Sequence, residues 1–382
     1  MKKFKAGIIG TGYIGPAHIE ALRRLGNVEV VAIAEATKEI AKKKARELGV
    51  PKSYGTYKEL INDEEIDVVH NCTPNHLHYE INCAIIDAGK HVVSEKPLAT
   101  TVAESADLVR RVRSKGVVHA VNFNYRYYPL VQHAAMMARN NECGRIFAVQ
   151  GCYMQDWLLY DTDWNWRLEP QFAGKSRAMA DIGSHWFDMI QFVLGQRIKR
   201  VFADLLTVHE YRKKPVKQVE TFAGKTLNAS ECIPVKIDTE DYGQILIEFA
   251  NGTKGMVCVS QVSAGRKNHI VFELNGTEKS VWWDQERPNE LMLGLRNELN
   301  RHMLKDSILL HKEIADYAHY PAGHNEGYPS CVKNFCRNVY RYIDDPSGGV
   351  DFSTFDDGHN AVAVIEAIMQ SAQTGKWISV EA

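Results

Sequence analysis

The chain has eight cysteines, and no two of them form a CxxC pair. Cys72, Cys83, Cys143, Cys152, Cys232 and Cys258 are scattered; Cys331 and Cys336 lie five apart with no histidine cluster to match. A zinc site is therefore not expected, no other metal is implied, and buried reduced thiols are the better reading. Net charge is also missing. Lys plus Arg is 46, Asp plus Glu is 47, and the formal balance is -1. No global basic field exists to attract nucleic acid or anionic lipid, so neither partner is expected. No run reaches the ~18 apolar residues of a membrane span. The basic start, Met1-Lys2-Lys3, lacks the apolar stretch and cleavage site of a signal peptide, and a cytoplasmic protein is expected. Repeats and low-complexity tracts are absent. What remains is ordinary for a globular protein: 382 residues, 45% apolar and 24% charged. At about 150 residues per domain, two or three domains follow.

The first third alternates apolar runs with helical patterns. Strands are expected at 4–9, 28–34, 67–72, 91–94 and 117–123, with helices after the first glycine motif and over 40–48, 76–88 and 101–115. Strands separated by helices of that length imply right-handed crossovers and a doubly wound parallel sheet. After about residue 123 the pattern changes. A strand at 149–154 and a helix at 183–194 are followed by alternating segments at 242–250 and 253–262, joined by Asn251-Gly252. A second pair, 270–274 and 278–283, flanks Asn275-Gly276. Closing helices are expected at 328–342 and 360–374. The fold class is thus α/β followed by α+β: a nucleotide-binding domain over 1–123, then a substrate-binding and oligomerisation domain over 124–382 on a mainly antiparallel sheet. Residues 211–235 look like a long surface loop or hairpin extension, and Trp282-Trp283 has no role beyond fold or assembly.

The first strand ends at Gly10-Thr11-Gly12-Tyr13-Ile14-Gly15. Three glycines at this spacing, between a strand and a helix, suit a dinucleotide. Gly10 permits the tight turn, Gly12 lets the backbone approach a pyrophosphate, and Gly15 lets helix and strand pack closely. Twenty residues past Gly15, Glu35 ends the second strand, where a carboxylate accepts from ribose hydroxyls and repels a 2′-phosphate. NAD is expected, with NADP disfavoured; Lys38 nearby softens that preference.

Three further segments end strands or open a helix: Thr73-Pro74-Asn75 with His78, Glu95-Lys96-Pro97, and Asp181-Ile182-Gly183-Ser184-His185. With the glycine motif they make the chain resemble the Gfo/Idh/MocA family of nicotinamide-dependent sugar and polyol oxidoreductases, from the first strand to the last helix. Glu-Lys-Pro after a Rossmann motif is the most specific element. The resemblance implies that Lys96, Asp181 and His185 act together at a substrate hydroxyl. That agrees with their chemistry. His185 has the natural pKa of a base, Asp181 can orient it, and Lys96 can stabilise alkoxide character. Asp188 reads as an acid favouring the helix dipole. Cofactor contacts are expected from Gly10, Gly12, Tyr13, Ile14, Gly15, Glu35, Thr73, Pro74, Asn75, His78, Glu95, Lys96, Asn124 and Arg167.

Trp164-Asn165-Trp166-Arg167 precedes the catalytic segment, and the loop 321–327 presents His324. Tryptophan faces stack on sugar C–H surfaces and an arginine fork binds hydroxyls. Trp164, Arg167 and His324, with Arg126, are therefore candidate substrate contacts beside Lys96, Asp181 and His185. The expected activity is hydride transfer between NAD and a secondary hydroxyl of a sugar, glycoside or cyclitol. Two alternatives stand beside it: an enzyme that retains NAD and cleaves glycosides through transient oxidation and elimination, and a nonenzymatic NAD-binding regulator. A homodimer or homotetramer built through the second half is expected, because an antiparallel sheet with helices on one side leaves its other face uncovered.

Overall fold

Six short apolar strands of the first third pair side by side. They are β1 (Phe4–Ile9), β2 (Val28–Ala34), β3 (Lys52–Tyr54), β4 (Val68–Asn71), β5 (His91–Ser94) and β6 (His119–Val121). The order is β3-β2-β1-β4-β5-β6, parallel throughout. Ile8, Val68, Val69 and Val93 are fully buried, as strands covered on both faces require. The crossovers are α1 (Ile14–Arg23), α2 (Lys38–Leu48), α3 (Tyr57–Ile61), α4 (His78–Asp87) and α5 (Val102–Lys115). Thr37 and Thr101 start α2 and α5 by accepting the N–H groups of Ile40 and Glu104 at 3.3 and 3.2 Å. The strand order reverses between β1 and β4, the place where sheets of this kind bind ligands beyond their carboxyl ends. The structure, a computed structural model, describes residues 2–216 and 232–381.

A second sheet is built from later residues: β7 (Ile146–Met154), β8 (Ile198–Leu206), β11 (Tyr242–Phe249), β12 (Lys254–Ser260), β13 (His269–Gly276), β14 (Ser280–Asp284), β15 (Glu290–Gly294), β16 (Arg301–Leu304) and β17 (Ile378–Ser379). Their order is β16-β15-β14-β13-β7-β12-β11-β8-β17. Only β12 and β7 run parallel; the other neighbours are antiparallel. A separate two-stranded ribbon pairs β9 (Tyr211–Pro215) with β10 (Cys232–Lys236). These fall in the stretch 211–235 expected as a loop or hairpin extension, of which 217–231 lie outside the described residues. The second hairpin departs from expectation. β13 runs on to Gly276 through a register shift at Asn275/Gly276, so the turn falls at 277–279. Trp283 is fully buried on one face, and its neighbour Trp282 therefore points to the other.

The buried face carries Val149, Ile245, Val257, Ile270 and Phe272. Onto it packs α8 (Ser184–Leu194), beside α6 (Pro129–Arg139); the short α7 (Pro170–Ala173) lies between the two in sequence. Trp186 of α8 donates its indole N–H to the Val271 carbonyl at 2.8 Å. Gly151 makes room for that ring. A Cβ there would come within 2.1 Å of the Val271 oxygen and 2.6 Å of the indole nitrogen. On the opposite face, Phe202, Leu246, Met256 and Gln150 line up across four strands, with Leu246 48% and Met256 53% exposed.

Two compact units emerge: Met1–Tyr127 with Tyr328–Val362, and Tyr128–Gly327 with Ala363–Ala382. Helix α9 (Tyr328–Asp344) and the first part of α10 (Phe355–Thr374) thus rejoin the parallel-sheet unit. A division at 123/124 does not contain this return. It is driven by aromatic burial: Tyr340 packs edge-on to Phe4 at 5.6 Å and Phe335 lies 5.4 Å from Tyr127. Gly151→Ala should lower the unfolding free energy by about 1–3 kcal/mol, the range for overpacking a core. Urea titration followed by tryptophan fluorescence checks this, and an unchanged midpoint would contradict the packing described.

Candidate active site

The parallel-sheet unit gathers its motifs at the carboxyl ends of β1, β4 and β5. Gly10 adopts φ +86°, and a Cβ on it would meet the Cys72 carbonyl oxygen at 2.8 Å. Gly15 lies against the Gly10 carbonyl, where a Cβ would sit 2.3 Å away. Gly12 differs from both. A Cβ there would meet no protein atom within 4 Å, and its φ is not positive. Nothing in the chain's own packing requires glycine at 12, and its bare backbone leaves room for close approach by a ligand. The first turn of α1 holds no acidic side chain, and Tyr13 at its N-cap makes no side-chain capping bond. A pyrophosphate fits this loop and helix start. Thr11, between the glycines, donates its N–H and its hydroxyl to Glu35 Oε1, each at 2.5 Å. The carboxylate is so held at the end of β2 beside the glycine loop. Tyr13 is 66% exposed and Ile14 half-buried.

Thr73 donates its hydroxyl to Asn71 Oδ1 at 2.7 Å, and Asn75 is buried at the start of a 3-10 turn. Both ring nitrogens of His78 meet carbonyl oxygens, Pro97 at 2.6 Å and Thr73 at 2.8 Å. The ring that was expected to touch cofactor is occupied in tying the Thr73 loop to the Lys96-Pro97 loop. Glu95 is buried, with Oε1 accepting from Asn122 at 2.6 Å and Oε2 accepting the Lys96 backbone N–H at 3.3 Å. Burial pushes its carboxyl pKa up, but His18, the Asn122 amide and the Lys96 charge outweigh it and hold it below the ordinary value. Asn124 and Arg126 turn into the unit's own packing. Asn124 donates to Cys331 Sγ at 3.3 Å, and Arg126 pairs with Asp357 at 3.5 Å.

The other unit positions Asp181 and His185. Asp181 lies in a π-helical turn, Met179–Gly183, that leads into α8; such turns recur at functional sites. Glu240 holds the turn's start, its Oε1 accepting the N–H groups of Arg177 and Met179 at 2.9 Å each. Arg167 Nε donates to Asp181 Oδ1 at 3.1 Å and Gln261 Nε2 to Oδ2 at 2.9 Å. The Gln261 carbonyl accepts from Arg177 at 2.9 Å, which fixes its amide with the N–H side toward Asp181. Arg177 and Arg212, both buried, share Asp241. Burial pushes the Asp241 carboxyl pKa up, and the two guanidinium groups more than reverse this, so it stays ionised. His185, in the first turn of α8, is 8% exposed, its ring 6.4 Å from Tyr153.

Arg167, expected at cofactor and substrate, is thus committed to Asp181 and to a cation–π contact with Trp166 at 4.5 Å. Trp164 packs on Leu158, Leu168 and Ile237. His324 is exposed. Its loop is riveted by the buried Lys305, whose Nζ reaches the carbonyls of Tyr320 and His324 at 3.0 Å and Glu326 at 2.6 Å. Gln261, Arg177 and Lys305 escaped the sequence reading. Their partners stand 15–84 residues away, and no local pattern marks them.

Residues 4–123 match the family model for an oxidoreductase family with an NAD-binding Rossmann fold, and 131–282 match the GFO/IDH/MocA C-terminal domain. The chain belongs to the GFO/IDH/MocA family. It is an NAD-dependent oxidoreductase acting on the CH–OH groups of sugars or polyols. A levoglucosan dehydrogenase from Pseudarthrobacter phenanthrenivorans is 32% identical, covering 100% of this chain and 99% of the relative. Glucose-6-phosphate 3-dehydrogenase from Bacillus subtilis is 24% identical over 99% of both. Among solved structures, levoglucosan dehydrogenase with NADH and levoglucosan superposes with TM-score 0.89 at 31% identity over both whole chains. An inositol dehydrogenase homolog with NAD+ from Azotobacter vinelandii gives 0.86 at 25%, covering 99% of this chain and 97% of that one. Among the described residues no helix is long and apolar enough to cross a membrane.

Glu35 next to the glycine loop predicts a cofactor switch. Glu35→Ser with Ala36→Arg should raise kcat/KM for NADP relative to NAD by at least about 10-fold, some 1.4 kcal/mol. Initial rates with both cofactors at 340 nm check it; an unmoved ratio would remove Glu35 from ribose recognition.

Proposed function

We propose that Lys96, Asp181 and His185 act as a unit on one secondary hydroxyl of a neutral, ring-shaped sugar of the levoglucosan type. The observation that carries this reading is the clamp on Asp181: an anion gripped by Arg167 and Gln261 one turn before His185. His185 takes the hydroxyl proton, and the fixed negative charge of Asp181 favours the imidazolium that results. Lys96, at the end of β5, donates to the reacting oxygen and stabilises its alkoxide character. NAD, when bound, accepts the hydride from the carbinol carbon. Its contacts are assigned to Gly10, Gly12, Gly15, Glu35, the Thr73–Asn75 turn and Glu95-Lys96. His324, on its riveted loop, is assigned to the sugar. Full-length similarity to a levoglucosan dehydrogenase supports the substrate class.

The uncovered sheet face supports a homo-oligomer. Its apolar row through Leu246 and Met256 suits a second copy of the chain. Eight cysteines without a disulfide support a cytoplasmic location.

Lys96→Met, Asp181→Asn and His185→Ala should each lower kcat by about 10²–10⁴-fold with NAD still bound. A panel of anhydrosugars, glycosides, free hexoses and inositols, followed at 340 nm with NMR assignment of the product carbon, tests the substrate. Near-normal turnover in all three variants would refute the site. Met256→Glu should convert the oligomer to monomer in light scattering; a wild type already monomeric at micromolar concentration refutes the assembly.

A further inference from the structure

A chain of buried polar groups runs beneath the Lys96 loop, and the proposed chemistry leaves most of it unused. His18 Nε2 lies 2.9 Å from Glu95 Oε1, and His18 Nδ1 lies 2.8 Å from His70 Nδ1. His70 Nε2 lies 3.0 Å from the Tyr340 hydroxyl. His18 and His70 are fully buried and Tyr340 is 2% exposed. The four groups come from α1, the end of β5, β4 and α9. Buried polar side chains are retained where each finds its partner, and a half-satisfied set is worse than an apolar one.

Counting hydrogens shows how the array closes. An ionised Glu95 accepts only, so His18 donates from Nε2. His70, kept neutral by burial, carries one ring hydrogen, so it bridges His18 and Tyr340 by donating to one and accepting from the other. The Asn122 amide nitrogen lies 3.1 Å from His18 Nε2 and donates to the same Glu95 Oε1. Turning one neutral ring alone would set two donors or two lone pairs face to face. The other groups around Glu95 stay neutral near pH 7. Burial raises the Cys72 and Cys336 thiols and the Tyr328 and Tyr340 hydroxyls, and burial lowers the His70 imidazole. Asn122 supplies a second donor, and Lys96 is the nearby cation.

The output of this array is Glu95 Oε2, which accepts the backbone N–H of Lys96. We infer that His18 is a positioning residue for Lys96: the array Tyr340–His70–His18–Glu95 fixes the peptide that presents the lysine. His18 also lies in α1, three residues past Gly15. One side chain therefore ties the helix that starts the cofactor loop to the loop that carries the lysine. The inference rests on the reading that Lys96 acts at the substrate hydroxyl.

The test compares His18→Leu, His18→Gln, Tyr340→Phe and Lys96→Met in the full-length enzyme. It measures kcat and KM for the sugar and NADH affinity by nicotinamide fluorescence. His18→Leu should lower kcat by about 10²-fold, the cost of displacing a reacting group by about 1 Å, while NADH affinity stays near wild type. His18→Gln should restore most of the turnover, because its amide N–H can reach Glu95 where the Nε2–H stood. A merely structural role would favour leucine at least as much as glutamine in that buried site. Tyr340→Phe, which removes only the far hydroxyl, should lower kcat severalfold without altering NADH affinity, and it decides alone if His18→Leu does not fold. Equal kcat for the leucine and glutamine variants overturns the inference, as does NADH affinity falling in step with kcat, or unchanged turnover in Tyr340→Phe. If Lys96→Met itself keeps normal turnover, the reading of Lys96 fails instead; an inactive Lys96→Met beside a fully active His18→Leu sinks the positioning role alone.

Discussion

Between the end of β1 and the carbonyl of Cys72 there is room for a hydrogen atom and little else. The Cβ of any larger residue at 10 would sit 2.8 Å from that oxygen. This close approach brings two strand ends together at the reversal of strand order, and everything in the cofactor half is arranged around it. The glycine loop must turn there, Gly15 must lie on the Gly10 carbonyl, and Thr73 follows directly from the residue that imposes the limit. His78 then spans from Thr73 to Pro97 and brings the next strand end into the same frame. A line of backbone contacts and one imidazole bridge thus brings the Lys96 loop to the glycine loop, and Glu95 holds the Lys96 peptide there.

The second unit solves a different problem, keeping a carboxylate aimed. Asp181 is held by two side chains whose own orientations are imposed from behind. Gln261 is set by Arg177, and Arg177 by Asp241 and Thr239. Buried pairs of this kind add little net stability against an apolar replacement, but losing one partner is costly. Their worth lies in allowing one amide orientation and one carboxylate pose. The π turn serves the same end by placing Asp181 off the regular helical path just before His185.

Much of the cofactor half could be read from sequence, since its signals are local. A strand, three glycines, a helix and an acid lie within 32 residues, and β1 and β2 span the residues expected of them. The Lys96 and His185 segments were legible as short motifs. What stayed hidden depends on partners far along the chain. His70 meets Tyr340 across 270 residues, and Arg177 meets Gln261 across 84. Neither pair has periodicity to betray it. Short elements such as β3 and α3 were too brief to show a period, and α6 sits in a stretch for which no element was expected. Arg126 and Asn124 looked ligand-facing because polar residues past a strand often are, yet both serve the junction with α9 and the start of α10. The tryptophan pair was opaque for the opposite reason: adjacent identical residues in a strand face opposite ways, and only the sheet says which is core.

The return of Tyr328–Val362 to the parallel-sheet unit has a consequence for how this enzyme can be recombined. Neither unit is one contiguous stretch of chain, so a crossover placed between them by length alone would exchange the glycine loop while leaving behind Phe335, Val339 and Tyr340 of α9, the helix that packs on α1. A hybrid of two relatives would have to take its cofactor specificity as two inserts, and the second would end inside α10, part-way along a single helix. Lineages of this fold are therefore held to changing cofactor preference residue by residue, at positions such as Glu35, more readily than by trading whole modules.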